Sequence, residues 1–359
     1  MHSRHFIALA TGMLLVQAAS GAEGVPRPPI TGIARVQVFV TDVVPSMAFY
    51  AKTLGLTAAE SGCSKPVTAC LSVNEHQRIE LRTSDNGAAG TAGAAAPPSS
   101  ASAAPGAALS PPSVPSNLVT GVTFATSNVA QMRRYLVSKG LTPTQVAADV
   151  DHVKYFSVMD PEGHAITFVE QAEQARSTSV PAAATAADTA RETGNAAAST
   201  SSTQSTAPTT KNPSQVSTRL IHAGFIVRDR AAEDRFYKDI LGFHVYWQGG
   251  MHEDEVSWVS MQVPEGTAWL EYMLNIPTNA DHHTIGVMNH LALGVSNISA
   301  TKDKLLTNGW HLGEEPKIGR DGKWQLNLYD PDGTRVEFME FTPVEKPCCS
   351  SFMGLHPGP

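Results

Sequence analysis

Along this chain, runs that alternate apolar and polar residues give way, four times, to apolar positions at helical spacing. Arg35-Val-Gln-Val-Phe-Val-Thr-Asp42 alternates and reads as a strand. Helix-spaced apolar residues then run through Phe49-Tyr50 to Leu54-Gly55-Leu56. The pattern returns at His222-Ala-Gly-Phe-Ile-Val-Arg-Asp229, followed by Phe236-Tyr237 and Leu241-Gly242-Phe243. In both copies the glycine suits a helix C-terminus. Two further copies begin with Val122-Thr-Phe-Ala-Thr-Ser-Asn128 and Leu291-Ala-Leu-Gly-Val-Ser-Asn297. Their helices end at Lys139-Gly140 and Asn308-Gly309. Each then reaches a turn, Asp160-Pro-Glu-Gly163 or Asp330-Pro-Asp-Gly333, and a last strand around Ile166 or Val336. The chain thus holds four strand–helix–strand–strand–strand modules, two per domain. One module leaves a sheet face open. Two side by side make a curved mixed sheet with a cavity and helices outside, an α+β class.

The stretches between modules bound the domains. Residues 87–116 are mostly Ala, Gly, Ser and Pro, and residues 172–217 mostly Ala, Ser and Thr. Neither carries enough large apolar residues for a core, so both read as disordered. The first is an insertion within a domain at 30–170; the second links it to a domain at 219–343. Residues 344–359, rich in Pro, Gly and Ser, read as a flexible tail. At the start, Arg4, the apolar run Phe6–Val16 and the small residues Ala18–Ala22 fit an export signal cut after Ala22. That run is too short to span a bilayer, so the mature chain is expected to be periplasmic or secreted with no membrane span. Net charge is -7, which leaves no basic footprint for nucleic acid. In an oxidising compartment Cys63 and Cys70 can pair across a hairpin, with buried free thiols equally open. Cys348 and Cys349 fall in the tail.

The Phe-Tyr…Leu-Gly helix (Phe49, Tyr50, Leu54, Gly55; Phe236, Tyr237, Leu241, Gly242) and the Asp-Pro-Asp/Glu-Gly turn resemble the glyoxalase/bleomycin resistance/extradiol dioxygenase superfamily, the vicinal oxygen chelate fold. The resemblance implies metal ligands on the first and last strands of each module, pointing into the cavity. In the second domain those positions are His222, Glu271, His290 and Glu337. His222 precedes Glu271 by 49 residues and His290 precedes Glu337 by 47. Val336 and Phe338 flank Glu337 and face the other way. A lone carboxylate on the cavity face of such a strand is costly to bury, and a cation compensates it. Two imidazoles and two carboxylates suit one divalent ion, Ni, Zn, Fe, Co or Mn. The matching positions in the first domain are Arg35, Glu80, Gly121 and Thr167. Only Glu80 could bind a metal there, and Arg35 would repel an ion or neutralise Glu80. The first domain reads as degenerate.

The four-ligand set resembles that of glyoxalase I. This implies a metal-dependent isomerase/lyase acting on a 2-oxoaldehyde–thiol adduct through an enediolate, with Glu271 and Glu337 as candidate catalytic bases. Asn275, four residues after Glu271, matches that family's thiol-contacting Asn. The family's carboxylate-binding Arg is Ile226 here. Lys317, Arg320 and Lys323 are the nearest substitutes, and a solvated loop is the favoured reading for them. A second reading is an Fe(II) extradiol dioxygenase using His222, His290 and Glu337, with Tyr329, His282 and His283 near in sequence. A third is a non-enzymatic, small-molecule-binding protein of the resistance type. His252-Glu253-Asp254-Glu255 reads as a solvated loop. Trp247, Trp258, Trp269 and Trp324 read as core.

Overall fold

The computed structural model describes residues 24–64, 67–84, 117–149, 151–171, 212–311 and 314–359. The export segment 1–22, the insertion 87–116 and the linker up to residue 211 lie outside the described residues. The first sheet comprises β1 (Ile30–Phe39), β2 (Thr57–Ala58), β3 (Ala69–Ser72), β4 (Arg78–Arg82), β5 (Val119–Thr126), β6 (Ala147–Ala148), β7 (Lys154–Met159) and β8 (Ala165–Glu170). The second comprises β9 (Leu220–Ile226), β10 (His244–Gly249), β11 (Trp258–Gln262), β12 (Trp269–Met273), β13 (His290–Val295), β14 (Lys317–Ile318), β15 (Trp324–Tyr329) and β16 (Arg335–Glu340). Their orders are equivalent, β2-β3-β4-β1-β5-β8-β7-β6 and β10-β11-β12-β9-β13-β16-β15-β14. Each module's first strand pairs in parallel with its last, as β9 with β12 and β13 with β16. Consecutive modules join antiparallel through β1–β5 and β9–β13, so modules pair within one chain. A parallel pair needs a crossover, and the helix of each module helps supply it.

The residue closing each first strand caps the following helix. Asp42, Asn128, Asp229 and Asn297 accept from the backbone amides of Val44, Gln131, Ala232 and Ala300. The capped helices are α1 (Val43–Met47), α2 (Val129–Ser138), α3 (Arg230–Glu233) and α5 (Ile298–Thr307). Helices α1 and α3 continue into π-helical winding over Ala48–Thr53 and Asp234–Ile240, through the two Phe-Tyr pairs. Each ends at a glycine with positive φ, Gly55 at +69° and Gly242 at +81°. An additional helix, α4 (His282–Met288), precedes β13.

One face of each sheet feeds a core common to both domains. Val36, Val38, Phe124 and Phe168 of the first meet the same apolar cluster as Phe225, Leu291, Leu293 and Phe338 of the second. Phe124 and Phe243 touch edge to face at 5.2 Å across the junction. The paired motifs lock it reciprocally. Tyr50 Oη donates to Asp330 of the second domain's Asp-Pro turn at 3.0 Å, and Tyr237 Oη donates to Asp160 of the first domain's turn at 2.9 Å. These groups are buried, so each bond satisfies a polar atom that water cannot reach.

Two expected free segments are anchored. Asn212 Nδ2 donates to the Gly55 carbonyl, and Asn308 Nδ2 to that of Ser214, so the end of the linker packs between the domains. Residues 344–359 are likewise not a free tail. The Val344 amide donates to Gly322 O and the Met353 amide to Tyr246 O, both at 2.8 Å. Phe352 packs 4.8 Å from the Tyr246 ring. Composition hid this because four or five apolar and polar anchors suffice to dock a segment that forms no helix or strand. Cys63 and Cys70 form a disulfide, as do Cys348 and Cys349. Among the described residues no helix is long and apolar enough to cross a membrane.

Candidate metal centre

The register of the second sheet places the expected ligands in two adjacent rows across it. One row runs Glu271–Gly224–His290–Arg335, the next Trp269–His222–Ala292–Glu337–Asn327. The rows lie two residues apart on every strand, so all these side chains share one face. Within each row the two ligands flank a very small residue, Gly224 or Ala292, and that gap lets them converge. At Gly224 a Cβ would lie 1.9 Å from His290 Cε1, so the imidazole occupies the space of a missing side chain.

The donor atoms meet. His222 Nε2 and His290 Nε2 are 3.1 Å apart, Glu271 Oε2 is 2.9 Å from His290 Nε2 and 4.0 Å from His222 Nε2, and Glu337 Oε2 is 3.6 Å from His222 Nε2. His222, His290 and Glu337 form a group whose ligand atoms all lie within 4.8 Å of one another. Both imidazoles are wholly buried. His290 Nδ1 faces the Met288 carbonyl at 3.3 Å, a contact that would hold the ring proton there and free Nε2 when a metal is bound. Burial first, then the charge of Arg335, holds His290 down at about 4, so it is neutral near pH 7. Burial alone would raise the Glu337 carboxyl. The adjacent His222 imidazole and the Arg335 charge outweigh it and bring Glu337 to about 2. Burial likewise opposes ionisation of Glu271, but the His290 contact holds it net below the usual range.

These states, neutral imidazole and ionised carboxylate, are those a divalent metal requires. Two metal–nitrogen bonds of about 2.1 Å at a right angle put their nitrogens about 3 Å apart, close to the His222–His290 spacing. Two buried imidazole nitrogens at that distance, with two carboxylates beside them, gather donor atoms whose burial a cation would compensate. The residues therefore fit a divalent ion held by His222, His290 and Glu337, with Glu271 alongside.

Asn275 does not join the group. It lies beyond β12 with φ +63°, exposed, and its amide is directed to Glu255, the Val256 carbonyl and Ser257. His252, Glu253 and Asp254 are exposed, as expected of a solvated loop. The solvated reading of Lys317, Arg320 and Lys323 holds for the first two, although Lys317 lies in β14 and not in a loop. Lys317 is exposed against Glu314 and Arg320 is exposed, but Lys323, immediately before β15, is completely buried among the rings of Tyr246, Trp269 and Phe352. Trp269 stacks 4.6 Å from the His222 ring and Arg335 reaches Glu337 at 3.8 Å. Sequence reasoning left both out of the site. Each stands two residues before a ligand glutamate, and strand period places it on the same face.

The first sheet repeats the rows as Glu80–Gln37–Gly121–Ala165 and Arg78–Arg35–Thr123–Thr167. Arg35 fills the centre. Its guanidinium lies 3.8 Å from Glu80, 3.4 Å from Asp149 and 3.0 Å from Ser64 Oγ. An internal cation replaces the metal's charge there.

The model of the Glyoxalase/Bleomycin resistance protein/Dioxygenase superfamily matches residues 32–168 and 219–338. A probable chloroplastic lactoylglutathione lyase of Arabidopsis thaliana is 23% identical over 133 residues, which span 36% of this chain and 38% of that protein. Among solved structures, the 2,3-dioxygenase LapB from Pseudomonas sp. KL28 aligns over 93% of this chain and 96% of its own, with a TM-score of 0.55 and 14% identity. Homoprotocatechuate 2,3-dioxygenase from Arthrobacter globiformis aligns over 89% and 84%, with a TM-score of 0.53 and 17% identity. At such identities these structures speak for the fold.

Proposed function

This chain belongs to the glyoxalase/bleomycin resistance protein/dioxygenase superfamily, and from that premise we propose that its second domain is a divalent-metal-dependent isomerase/lyase of the glyoxalase I kind. Its substrate would be a small adduct of a 2-oxoaldehyde and a thiol. The observation that carries the reading is Glu271, a second carboxylate within 2.9 Å of a ligand imidazole. When bound, the ion supplies Lewis-acid charge to two adjacent substrate oxygens. The two carboxylates then divide the work. Glu337 is 4% exposed and held between His222 and Arg335, which suits a fixed ligand. Glu271 is 14% exposed, so it is the carboxylate a substrate C–H can meet. In this reading Glu271 takes the proton next to the carbonyl and returns it to the neighbouring carbon, the work of a general base then acid. Trp269 holds the His222 ring by stacking. Export through residues 1–22 is part of the proposal, and it calls for a thiol found outside the cytosol. Ile226 likewise leaves no arginine for a glutathione carboxylate at that place.

A second reading has one observation behind it: His222, His290 and Glu337 alone make a compact two-histidine, one-carboxylate group. That set suits Fe(II) oxygenase chemistry, with Glu271 as a base that does not ligate. One experiment separates the two. Metal content is measured for the full chain and for Glu271→Gln, followed by turnover of a methylglyoxal–thiol adduct and oxygen uptake with a catechol. Adduct turnover lost in the variant together with metal supports the isomerase. Retained iron with catechol-dependent oxygen uptake refutes it in favour of the dioxygenase. Full metal with neither activity points to the binding protein.

A further inference from the structure

The two disulfides of this chain differ in setting. Cys63 and Cys70 are 8% and 7% exposed, within the first domain. Cys348 is half-buried and Cys349 exposed, and both line an open pocket of about 800 Å³ beside the second sheet. Lys346 and Glu253 also line it and offset one another in charge. A third charge stands against the sulfurs themselves. Arg320 Nη2 lies 2.9 Å from Cys348 Sγ and 3.9 Å from Cys349 Sγ. Its Nε donates to the Gly250 carbonyl at 3.3 Å, and its own carbonyl accepts the Cys348 amide at 2.9 Å. Among the described residues it has no carboxylate within 4.0 Å. This guanidinium is therefore held in place, un-neutralised, beside one sulfur of an accessible disulfide. A cation there stabilises a thiolate, and in thiol exchange the sulfur that forms the better-stabilised thiolate is the one that leaves.

The same bond fastens the C-terminal segment. β10 is an edge strand, and residues 348–356 run along its open side. Trp247 Nε1 donates to Cys348 O at 3.1 Å. Ser350 Oγ accepts the Gln248 amide at 3.0 Å and donates to Gln248 O at 2.9 Å, and the Met353 amide donates to Tyr246 O at 2.8 Å. Gly249 makes the room for the sulfur, since a Cβ there would lie 3.2 Å from Cys349 Sγ. Cys349 sits at φ +74°, a left-handed backbone that residues with side chains rarely adopt. The disulfide closes a small ring around the peptide link between the two cysteines and restrains that backbone. Once the bond opens, nothing covalent keeps Cys349 left-handed, and the clasps on either side of it lose their alignment. Phe352 packs on Tyr246, Tyr246 lies 5.1 Å from Trp269, and Trp269 stacks on His222, so the segment is joined to the metal centre through a row of rings.

We propose that Cys348–Cys349 is a thiol-exchange site, modified by a small external thiol at Cys349, and that its opening unfastens residues 348–356 from β10. A thiolate forms a bond to Cys349 Sγ as the Cys348–Cys349 bond breaks, and that electron pair passes to Cys348 Sγ beside Arg320. A second thiolate attacks the external sulfur of the mixed disulfide, releases the external disulfide and leaves both cysteines reduced. The two thiols supply the two electrons, and neither step uses the metal centre. In the test, full-length protein is treated with 2-mercaptoethanol, trapped with N-ethylmaleimide and mapped by mass spectrometry. Cys348–Cys349 should open at least about tenfold faster than Cys63–Cys70, with the thiol adduct on Cys349 and the maleimide on Cys348. Arg320→Met should slow opening by about threefold or more and lose the choice of sulfur, and Arg320→Lys should restore that choice. Hydrogen exchange at the Met353 amide should then quicken by about tenfold or more. The double variant Cys348→Ser/Cys349→Ser, which keeps Cys63–Cys70, should show that fast exchange with no thiol present. Opening no faster than that of Cys63–Cys70, a thiol adduct on Cys348, an unchanged rate in Arg320→Met, or slow Met353 exchange in the double variant would each overturn the proposal.

Discussion

Replacing Glu233 by Gln should stabilise the protein, and only above mildly acidic pH. Glu233 is wholly buried at the domain junction. Its Oε1 accepts the Glu162 amide at 3.0 Å, while Oε2 has no partner among the described residues. Burial first, then the charge of Asp160, raises its carboxyl to about 9 from 4.5. Between those two values the folded chain holds a proton that the unfolded chain has released, so stability falls as pH rises through the window. At roughly 1.4 kcal/mol per pKa unit, the cost at pH 8 has a ceiling of about 5 kcal/mol. Acidic neighbours that relax together with Glu233 lower this, and about 2 kcal/mol is the expected gain. Gln keeps the shape and the Oε1 acceptor and has no proton to retain. Thermal melts of wild type and variant at pH 5 and pH 8 provide the assay. The variant should gain several degrees at pH 8, at about 2–4 °C per kcal/mol, and little at pH 5. An equal gain at both pH values, or none at pH 8, would refute the account.

Three further outcomes follow from the geometry. Gly224→Ala puts a methyl into the His290 ring; metal content should fall sharply, and stability by about 1–3 kcal/mol, measured by metal analysis and denaturant titration. Arg35→Met leaves Glu80 and Asp149 buried without their cation; a loss of about 3–5 kcal/mol is expected in urea, and a loss under 1 kcal/mol would show that those carboxylates are otherwise neutralised. Adding a divalent metal at about 100 times its dissociation constant should stabilise the chelated protein by about 2.7 kcal/mol, and Glu337→Gln should lose most of that increment in the same melts.

Strand period, glycines at the helix ends and Asp-Pro turns made the four modules legible in the sequence, because these signals are local. Gly55 and Gly242 mark the ends of their helices by their own freedom at positive φ, whatever the rest of the chain does. His222, Glu271, His290 and Glu337 were legible because the chain repeats, and equal spacing puts equivalent residues on equivalent strands. The Arg35–Glu80 pairing in the first domain was legible for the same reason. Tertiary structure decided what depends on neighbours distant in sequence. It set the two rows that bring the ligand atoms of His222, His290 and Glu337 within 4.8 Å of one another and Glu271 to 2.9 Å from His290, with Gly224 and Ala292 as the gaps between them. It exchanged the Tyr50 and Tyr237 hydroxyls between domains. It directed Asn275 to the 255–257 loop, and it buried Lys323 under residues 344–359. No local pattern encodes these last contacts. They arise from the curvature of an eight-stranded sheet, which turns side chains on separate strands and a segment without regular structure toward a common centre.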